Sequence, residues 1–347
     1  MDLTIAAILG LDGLTNGAIY ALVALALVLV FSVTRVIFIP QGEFVAFGAL
    51  TLAALQSAKV PGTVWLLLMM AVAAALLDLA AGLRERWPAA RLARKLLATL
   101  GFPLAAAGLT YGLAPQQPPL LVQVALALAV VTAMGPLLYR LAFRALSAAS
   151  VLTLLIVSVG VHFALTGVGL VFFGAEGYRT PAFWEVRFDV GPLGFSGQTL
   201  IIFGASVALL VGMWLFFERT LTGKALRATS VNRTGARLMG ISGDAAGALT
   251  FTLAAFIGAL SGLLISPSTT IYYDTGFLIG LKGFIAAIIG GLISYPLTAV
   301  AALVVGIVEA FSSFYASNFK EVIVFTLLIP VLLLRSLAAP AVEEEKD

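Results

Sequence analysis

Five ionisable side chains lie within or beside long apolar stretches of this sequence of 347 residues. Charged groups in such surroundings are costly, so they often mark ion pairs, proton-transfer chains or a polar path through a membrane. They are Glu43, Asp78, His162, Lys282 and Glu309. Lys282 and Glu309 belong to consecutive apolar segments, and one can pair with the other or with Glu43. The arrangement suits a gate and a structural ion pair equally well.

The other polar groups predict no catalytic chemistry. Asp78 stands shortly before Arg84 and is expected to reach the inner membrane surface. His162 is the single histidine, and a packing or hydrogen-bonding role is favoured over proton transfer. One histidine and no cysteine leave no metal cluster of familiar spacing. A G-x-x-x-x-G-K-[ST] phosphate loop and a Gly-x-Ser-x-Gly motif are absent, so no catalytic residue, metal or bound cofactor is predicted.

Composition identifies the elements that must position these groups. Hydrophobic residues make up 61% of the chain and charged residues 11%, with a mean hydropathy of +1.09. Soluble domains carry roughly a quarter charged residues, so the sequence predicts an all-α, polytopic transmembrane helical bundle. The net charge of +3 comes without a basic stripe interleaved with aromatics, which argues against nucleic acid. The N-terminus lacks the positive region of a cleaved signal, so the first span is expected to remain.

We predict about 9–11 spans, including short or broken helices. The expected segments are 14–33, 41–58, 64–83, 96–114, 120–143, 148–174, 200–220, 247–265, 277–293, 296–314 and 321–336. Those at 41–58, 277–293 and 321–336 are short enough to be half-helices or re-entrant. Breaks are expected at 39–43, 266–268 and 290–296. Such breaks either line a transport path or are simple surface turns.

Basic residues orient the spans, because Lys and Arg accumulate on the cytoplasmic side. The linker 84–95 has five cations and one anion, and Arg140 and Arg144 follow two spans later. Residues 217–244, here called the basic island, carry five cations against two anions. The segment 175–199 is expected outside. This alternation places the N-terminus outside and the acidic C-terminus inside, and an even span count would move one of them.

The basic island has the pattern of a folded element. Residues able to cap its helices are, in order, Thr222, Thr234 and either Ser242 or Asp244. Two short helices are expected to end near Ser230 and Gly240, and the next span to start around Gly247. Helices lying on the inner membrane face would form a docking surface, although an ordinary cytoplasmic loop explains the same charges.

Six stretches and Asn232 resemble the branched-chain amino acid ABC permeases of the LivH type. The stretches are Asn16-Gly-Ala-Ile-Tyr-Ala-Leu-Val-Ala-Leu with Phe38-Ile-Pro-Gln-Gly-Glu43, then Gly223-Lys-Ala-Leu-Arg-Ala with Asn232 and Ala236-Arg-Leu-Met-Gly-Ile241, then 280–291, then Gly306-Ile-Val-Glu-Ala310. The likeness covers residues 10–58 and 120–336. Pro40 and Gln41 stand where the family usually has Ala and His. Residues 60–118 look like an inserted helical hairpin within one permease domain, 1–347.

The resemblance implies the permease subunit of an importer in the bacterial inner membrane. Expected partners are a second permease subunit (or a second copy of this chain), a periplasmic solute-binding protein, and two cytoplasmic ATPase subunits that use ATP and magnesium. The expected translocation-path residues are Asn16, Gln41, Glu43, Lys282 and Glu309. The loop 221–246 would couple the chain to the ATPases, through Gly223, Arg227, Asn232, Arg237, Met239 and Gly240.

The cargo and the mode of transport stay open at this level. Hydrophobic amino acids are the main cargo that the resemblance implies, and urea, short amides or another small neutral solute are alternatives. Ribose and nucleoside permeases are more distant relatives. A secondary transporter or channel working alone would instead use His162, Lys282 and Glu309 as a relay, and a membrane scaffold would carry polar residues only in its loops.

Overall fold

The computed structural model describes residues 3–190 and 193–338, and the chain there is almost entirely helical. The helices before the external segment are α1 (Leu3–Thr34), α2 (Gln41–Gln56), α3 (Gly62–Arg84), α4 (Ala89–Leu113), α5 (Leu120–Leu138) and α6 (Val151–Phe173). A hairpin of β1 (Arg187–Val190) and β2 (Leu193–Ser196) comes next. The later helices are α7 (Gly197–Arg219), α8 (Leu221–Val231), α9 (Arg233–Leu238), α10 (Gly243–Ile265), α11 (Thr275–Ile289), α12 (Tyr295–Tyr315), α13 (Lys320–Thr326) and α14 (Leu328–Ala338).

The prediction of a polytopic helical bundle is confirmed. Nine helical segments of the described residues are long and apolar enough to cross a membrane, and α11 is a shorter apolar helix. Breaks are present near all three expected places, at residues 35–40, 266–274 and 290–294, although the first comes earlier than expected because Gln41–Glu43 already belong to α2. The last expected span is divided at Leu327 into α13 and α14. The acidic C-terminus lies outside the described residues, so its expected side stays a prediction.

Helix α1 is the central element of the bundle and is longer than predicted. It begins at Leu3 rather than near residue 14, and every residue from 17 to 30 is buried. Its first half packs closely against α12: a Cβ at Gly13 would lie 2.6 Å from the Cα of Ile307.

The basic segments meet at one end of the bundle. One cavity there is lined by Lys95 of the basic linker 84–95, by Arg144, and by Asp244 of the basic island. Arg144 also forms an ion pair with Asp244 (2.8 Å). The 175–199 segment lies at the opposite end, where Tyr178 forms a backbone bridge with Ile271. The structure thus separates basic and mixed-charge segments as the predicted alternation requires.

The island folds into two short helices, but its caps differ from those predicted. Thr220, not Thr222, caps α8 by accepting a hydrogen bond from the Gly223 N–H (3.0 Å). Asn232, not Thr234, caps α9 by accepting from the Gly235 N–H (2.8 Å). Each actual cap lies two residues before the predicted one, at the residue where the backbone is still extended.

The following span begins earlier than expected. Helix α10 starts at Gly243 rather than around Gly247, and Ser242 caps it, as one of the two predicted alternatives. Asp244 lies in the first turn of α10, where a carboxylate interacts favourably with the helix dipole. The Asp244 side chain forms an ion pair with Arg144 and does not cap the helix.

Candidate functional site: the half-helix junction and the lysine cluster

Two short helices begin at the middle of the bundle and run in different directions from there. Helix α2 starts beside the centre of α10, because the Gln41 side chain donates to the carbonyl of Ala254 (3.0 Å). Helix α11 starts beside the same point: Gly42 and Gly276 touch each other's backbone carbonyls, which leaves no room for a Cβ. We call this meeting of two helix N-termini the half-helix junction. Both helices are short, as expected for the segments 41–58 and 277–293.

A buried contact between a histidine and a glutamate adjoins the half-helix junction. His162 lies halfway along α6, and its Nδ1 is 2.6 Å from Glu43 Oε1. The imidazole also stacks on Phe277 of α11, with ring centroids 4.5 Å apart. Ile39 directly precedes Pro40, and its backbone N–H donates to Ser158 Oγ (2.9 Å). Helix α6 therefore holds the unwound segment and both half-helices through polar and aromatic contacts.

Two acceptor oxygens at the junction have no hydrogen-bond partner among the described residues. They are Gln41 Oε1 and Glu43 Oε2, on side chains that are almost completely buried. The unused acceptors of buried polar groups are rare in folded proteins, and each one needs a physical explanation. A donor from water or from a solute would satisfy them if the half-helices separated.

A second polar group, here called the lysine cluster, joins α1, α11, α12 and α13. The Lys282 ammonium forms ion pairs with Glu309 and, at 3.2 Å, with Glu321. The Tyr20 hydroxyl donates to the other oxygen of Glu309 (2.5 Å). The Tyr20 ring also lies 5.7 Å from the Lys282 nitrogen. One cation therefore faces two carboxylates in a mostly buried site.

These geometries decide which predicted residues come together. Lys282 pairs with Glu309 and not with Glu43, whose partner is His162. Asn16 is half-buried, one helical turn before Tyr20 on α1, and so lies towards the lysine cluster. The five expected path residues thus divide between two sites rather than forming one.

Asp78 lies towards the inner end of the bundle, as expected, because its partner Arg140 lines the cavity there, but Asp78 does not reach the surface. It is buried, and it pairs with Arg140 while accepting a hydrogen bond from Thr99 (2.7 Å). Arg140 in turn donates to Thr99 (2.9 Å). The spacing from Arg84 on the same helix did not reveal this burial, because the partner Arg140 lies in the helical turn that directly follows α5.

The basic island presents apolar side chains to solvent. Leu238 and Met239 are each 83% exposed, and Val231 is 82% exposed. Gly240 follows them with φ of +83°, a left-handed conformation that ends α9 and is favourable for glycine. Exposed apolar side chains next to polar neighbours are typical of an interaction site.

The cations of the island differ in their surroundings. Arg227 is paired with Glu218 (2.5 Å) across the turn between α7 and α8. Arg237 has no ion pair within the described residues, and its guanidinium lies along Gly243. Gly223 packs directly on the backbone of Phe217, where a Cβ would come 2.8 Å from that Cα. The island is thus fixed to α7 and, through the buried Leu226, to α1, while Leu238 and Met239 remain exposed.

Comparison with known proteins identifies the family of the chain. A model of the family described as the branched-chain amino acid transport system permease component matches residues 90–332. The chain belongs to this permease family. The protein is therefore a transport permease component, not an enzyme, and works within a transporter complex as a multi-pass membrane protein.

Several curated permeases are similar to this one. BraD of Pseudomonas aeruginosa, a permease protein of a high-affinity branched-chain amino acid transport system, is 26% identical over 349 residues, covering 96% of each chain. LivH of Escherichia coli, named in the same way, is 29% identical over 228 residues, covering 63% of this chain and 74% of LivH. No solved structure matches.

The sequence did not single out three residues that complete these sites. Tyr20 belongs to the first stretch that resembles the permease family, but an aromatic residue in an apolar helix is usually part of the core. Glu321 stands at the start of a short apolar segment, which was the available signal. Ser158 gave none, since a small polar residue in a span is common.

Proposed function

We propose that this permease forms the translocation path of an ATP-driven importer for branched-chain or other hydrophobic amino acids. The match to the family over residues 90–332 carries the proposal. The relative that aligns over 96% of this chain is named for high-affinity branched-chain amino acid transport, which favours the same cargo. Urea, a short amide or another small neutral solute remains the alternative cargo.

The proposed path runs past Asn16, Gln41, Glu43, Lys282 and Glu309. The free acceptors on Gln41 and Glu43 suit the ammonium group of an amino acid. Reaching them requires the half-helices to part, since the two first turns now touch. Rigid-body movement of packed helices is the usual form of such a change.

The proposed coupling surface is the loop 221–246. Its exposed apolar residues would enter a cleft of a cytoplasmic ATPase subunit, and Arg237 would contact acidic groups at the rim of that cleft. Gly223, Arg227, Asn232 and Gly240 would hold the two helices in shape by the packing, pairing and capping already described. Arg237 and Met239 would make the contact itself.

The full assembly in this proposal has two ATPase subunits, which bind ATP and magnesium. It also has a second permease subunit, or a second copy of this chain, and a periplasmic binding protein that delivers the solute. The assembly would sit in a bacterial inner membrane. This chain itself would bind no nucleotide and no cofactor.

The test is reconstitution with the products of the neighbouring genes. The chain should copurify with ATPase subunits, and proteoliposomes should take up labelled leucine only with ATP and a loaded binding protein. Uptake of urea or an amide in its place would correct the cargo. Uptake driven by an ion gradient without ATPases would refute the importer and favour a secondary transporter.

A charge-reversing substitution in the loop tests the coupling to the ATPases separately from the folding of the chain. Arg237→Glu is preferred to Arg227→Glu, because the latter would place two carboxylates together beside Glu218. Arg237→Glu should abolish leucine uptake and weaken ATPase copurification, with an unchanged elution profile of the purified chain. Lys59→Glu, an equal charge change on an exposed residue of the α2–α3 turn, is the matched control. Normal docking and uptake by the Arg237 variant would contradict the proposed surface.

A further inference from the structure

A cavity of about 570 Å³ opens between α4, α5 and α10, at the end of the bundle where the basic segments meet. Its inner walls are apolar and include Phe102, Pro103, Leu137 and Ala248. Its polar end carries Lys95, Arg140, Arg144 and Asp244. We call it the inner-end groove. A volume of this size holds a small organic ligand or part of a lipid.

The groove opens towards the lipid-facing side of the bundle. Phe102, on its wall, is 58% exposed, and Leu97, on the same helix, is 73% exposed. Both residues belong to an apolar helix long enough to span a membrane. An apolar side chain so exposed on a spanning helix faces hydrocarbon, so a lipid chain can enter the groove from the bilayer without crossing water.

Positive charge is in excess around the polar end. The cations in or beside the groove are Lys95, Arg140, Arg144, Arg233 and Arg237, and the anions are Asp78 and Asp244. The two anions are already paired, one with Arg140 and one with Arg144. Burial, and then the neighbouring Arg237, lower the pKa of the Arg233 guanidinium. Within residues 3–190 and 193–338, Lys95 has no ion pair.

We propose that the inner-end groove binds one anionic phospholipid of the cytoplasmic leaflet. The phosphate would lie beside Lys95 and Arg144, and an acyl chain would lie along Phe102 and Leu137. Basic pockets between helices at the cytoplasmic surface are suited to such headgroups. A free phosphate would meet the same cations but would leave the apolar walls unoccupied, so a lipid matches both halves of the site.

This assignment gives the α3–α4 hairpin a physical role. Helix α4 supplies Lys95 and Phe102, while α10 supplies the opposite wall and begins at the end of the basic island. A lipid in the groove would therefore connect the hairpin to the first turn of α10 without direct contact between their side chains. The proposal does not depend on the cargo or on the ATPases.

The test measures lipid retained by the purified full-length chain, using native mass spectrometry after delipidation and addition of defined lipid. Dioleoyl phosphatidylglycerol should remain bound at one molecule per chain, and dioleoyl phosphatidylcholine at less than a fifth of that occupancy. Lys95→Gln should reduce phosphatidylglycerol occupancy at least fivefold. Ala98→Phe, which fills the groove without altering its charge, should do the same.

Matched controls lie on the same helix outside the groove. Arg94→Gln removes an equal charge, and Ala105→Phe adds an equal volume at an exposed position, so both should retain the lipid. Equal retention of the two lipids by the unaltered chain would overturn the proposal. So would a loss caused by Ala98→Phe but not by Lys95→Gln, which indicates a neutral hydrocarbon, or full displacement by glycerol 3-phosphate, which indicates a soluble phosphate.

Discussion

Replacing Lys282 with Met tests whether the lysine cluster is a strongly coupled buried ion pair. The lysine side chain is 6% exposed and that of Glu309 is 10% exposed. Removing the ammonium leaves two carboxylates facing each other without a cation in a low-dielectric site. Breaking a buried pair in this way costs about 3–5 kcal/mol of unfolding free energy. We expect a loss of that size for Lys282→Met.

The geometry also ranks the two carboxylates. Glu309 uses both oxygens, one for Lys282 and one for Tyr20, whereas Glu321 Oε2 has no partner among the described residues. The Glu321 side chain is 31% exposed, so its pair with Lys282 is partly screened and is worth about 0–1 kcal/mol. Glu309→Gln should therefore destabilise the permease more than Glu321→Gln.

The assay is equilibrium unfolding by SDS in mixed micelles, followed by the fluorescence of the four tryptophans. Lys320→Met is the control, since its lysine is 40% exposed and lies 4.0 Å from the same Glu321. The double variant Lys282→Met with Glu309→Gln should recover part of the loss. Unfolding of Lys282→Met at the SDS concentration of the unaltered chain, or a larger loss for Glu321→Gln than for Glu309→Gln, would refute the reasoning.

Two further predictions concern the half-helix junction. Gly42→Ala should destabilise the fold and stop transport, because its Cβ would overlap the Gly276 carbonyl; Gly108→Ala, where nothing lies within 4 Å, should be neutral or stabilising by about 0.5–1 kcal/mol. Comparison of the two in SDS unfolding and leucine uptake checks this, and equal behaviour would contradict the close approach. His162→Phe should keep the stacking on Phe277 but leave the Glu43 carboxyl group buried without its hydrogen-bond partner, at a cost of about 1–3 kcal/mol. His162→Gln, which retains a donor, should restore part of that stability, and its failure to do better than Phe would count against the hydrogen bond.

Much of the fold could be predicted from the sequence because it depends on local rules. Apolar stretches long enough for a bilayer predicted the spans, and proline together with glycine predicted breaks near residues 39–43 and 290–296. The positions of the basic segments predicted which connecting segments lie at the same end of the bundle. Cap positions were wrong by two residues at Thr220 and Asn232, since several neighbouring polar residues satisfy the same local preference.

The sites could be predicted only in part, because side-chain pairing depends on long-range packing. Glu43 and His162 are 119 residues apart in the chain, and Tyr20 and Glu309 are 289 apart. The cost of burying a charged group indicated that each ionisable side chain needs a partner. Several residues could serve as that partner on chemical grounds, so the sequence could not choose between them.

The sequence by itself determined that the chain is a membrane bundle with interrupted helices and a basic end, because hydropathy, chain stiffness and charge are properties of local segments. Only the tertiary structure decided that Lys282 joins Glu309 and Glu321, that Glu43 joins His162, and that Asp78 joins Arg140. The physical reason is that a buried charge is stabilised by whichever opposite group the packing brings within a few ångströms. Close contacts such as that between Gly42 and Gly276 bring together helices that are far apart in the chain.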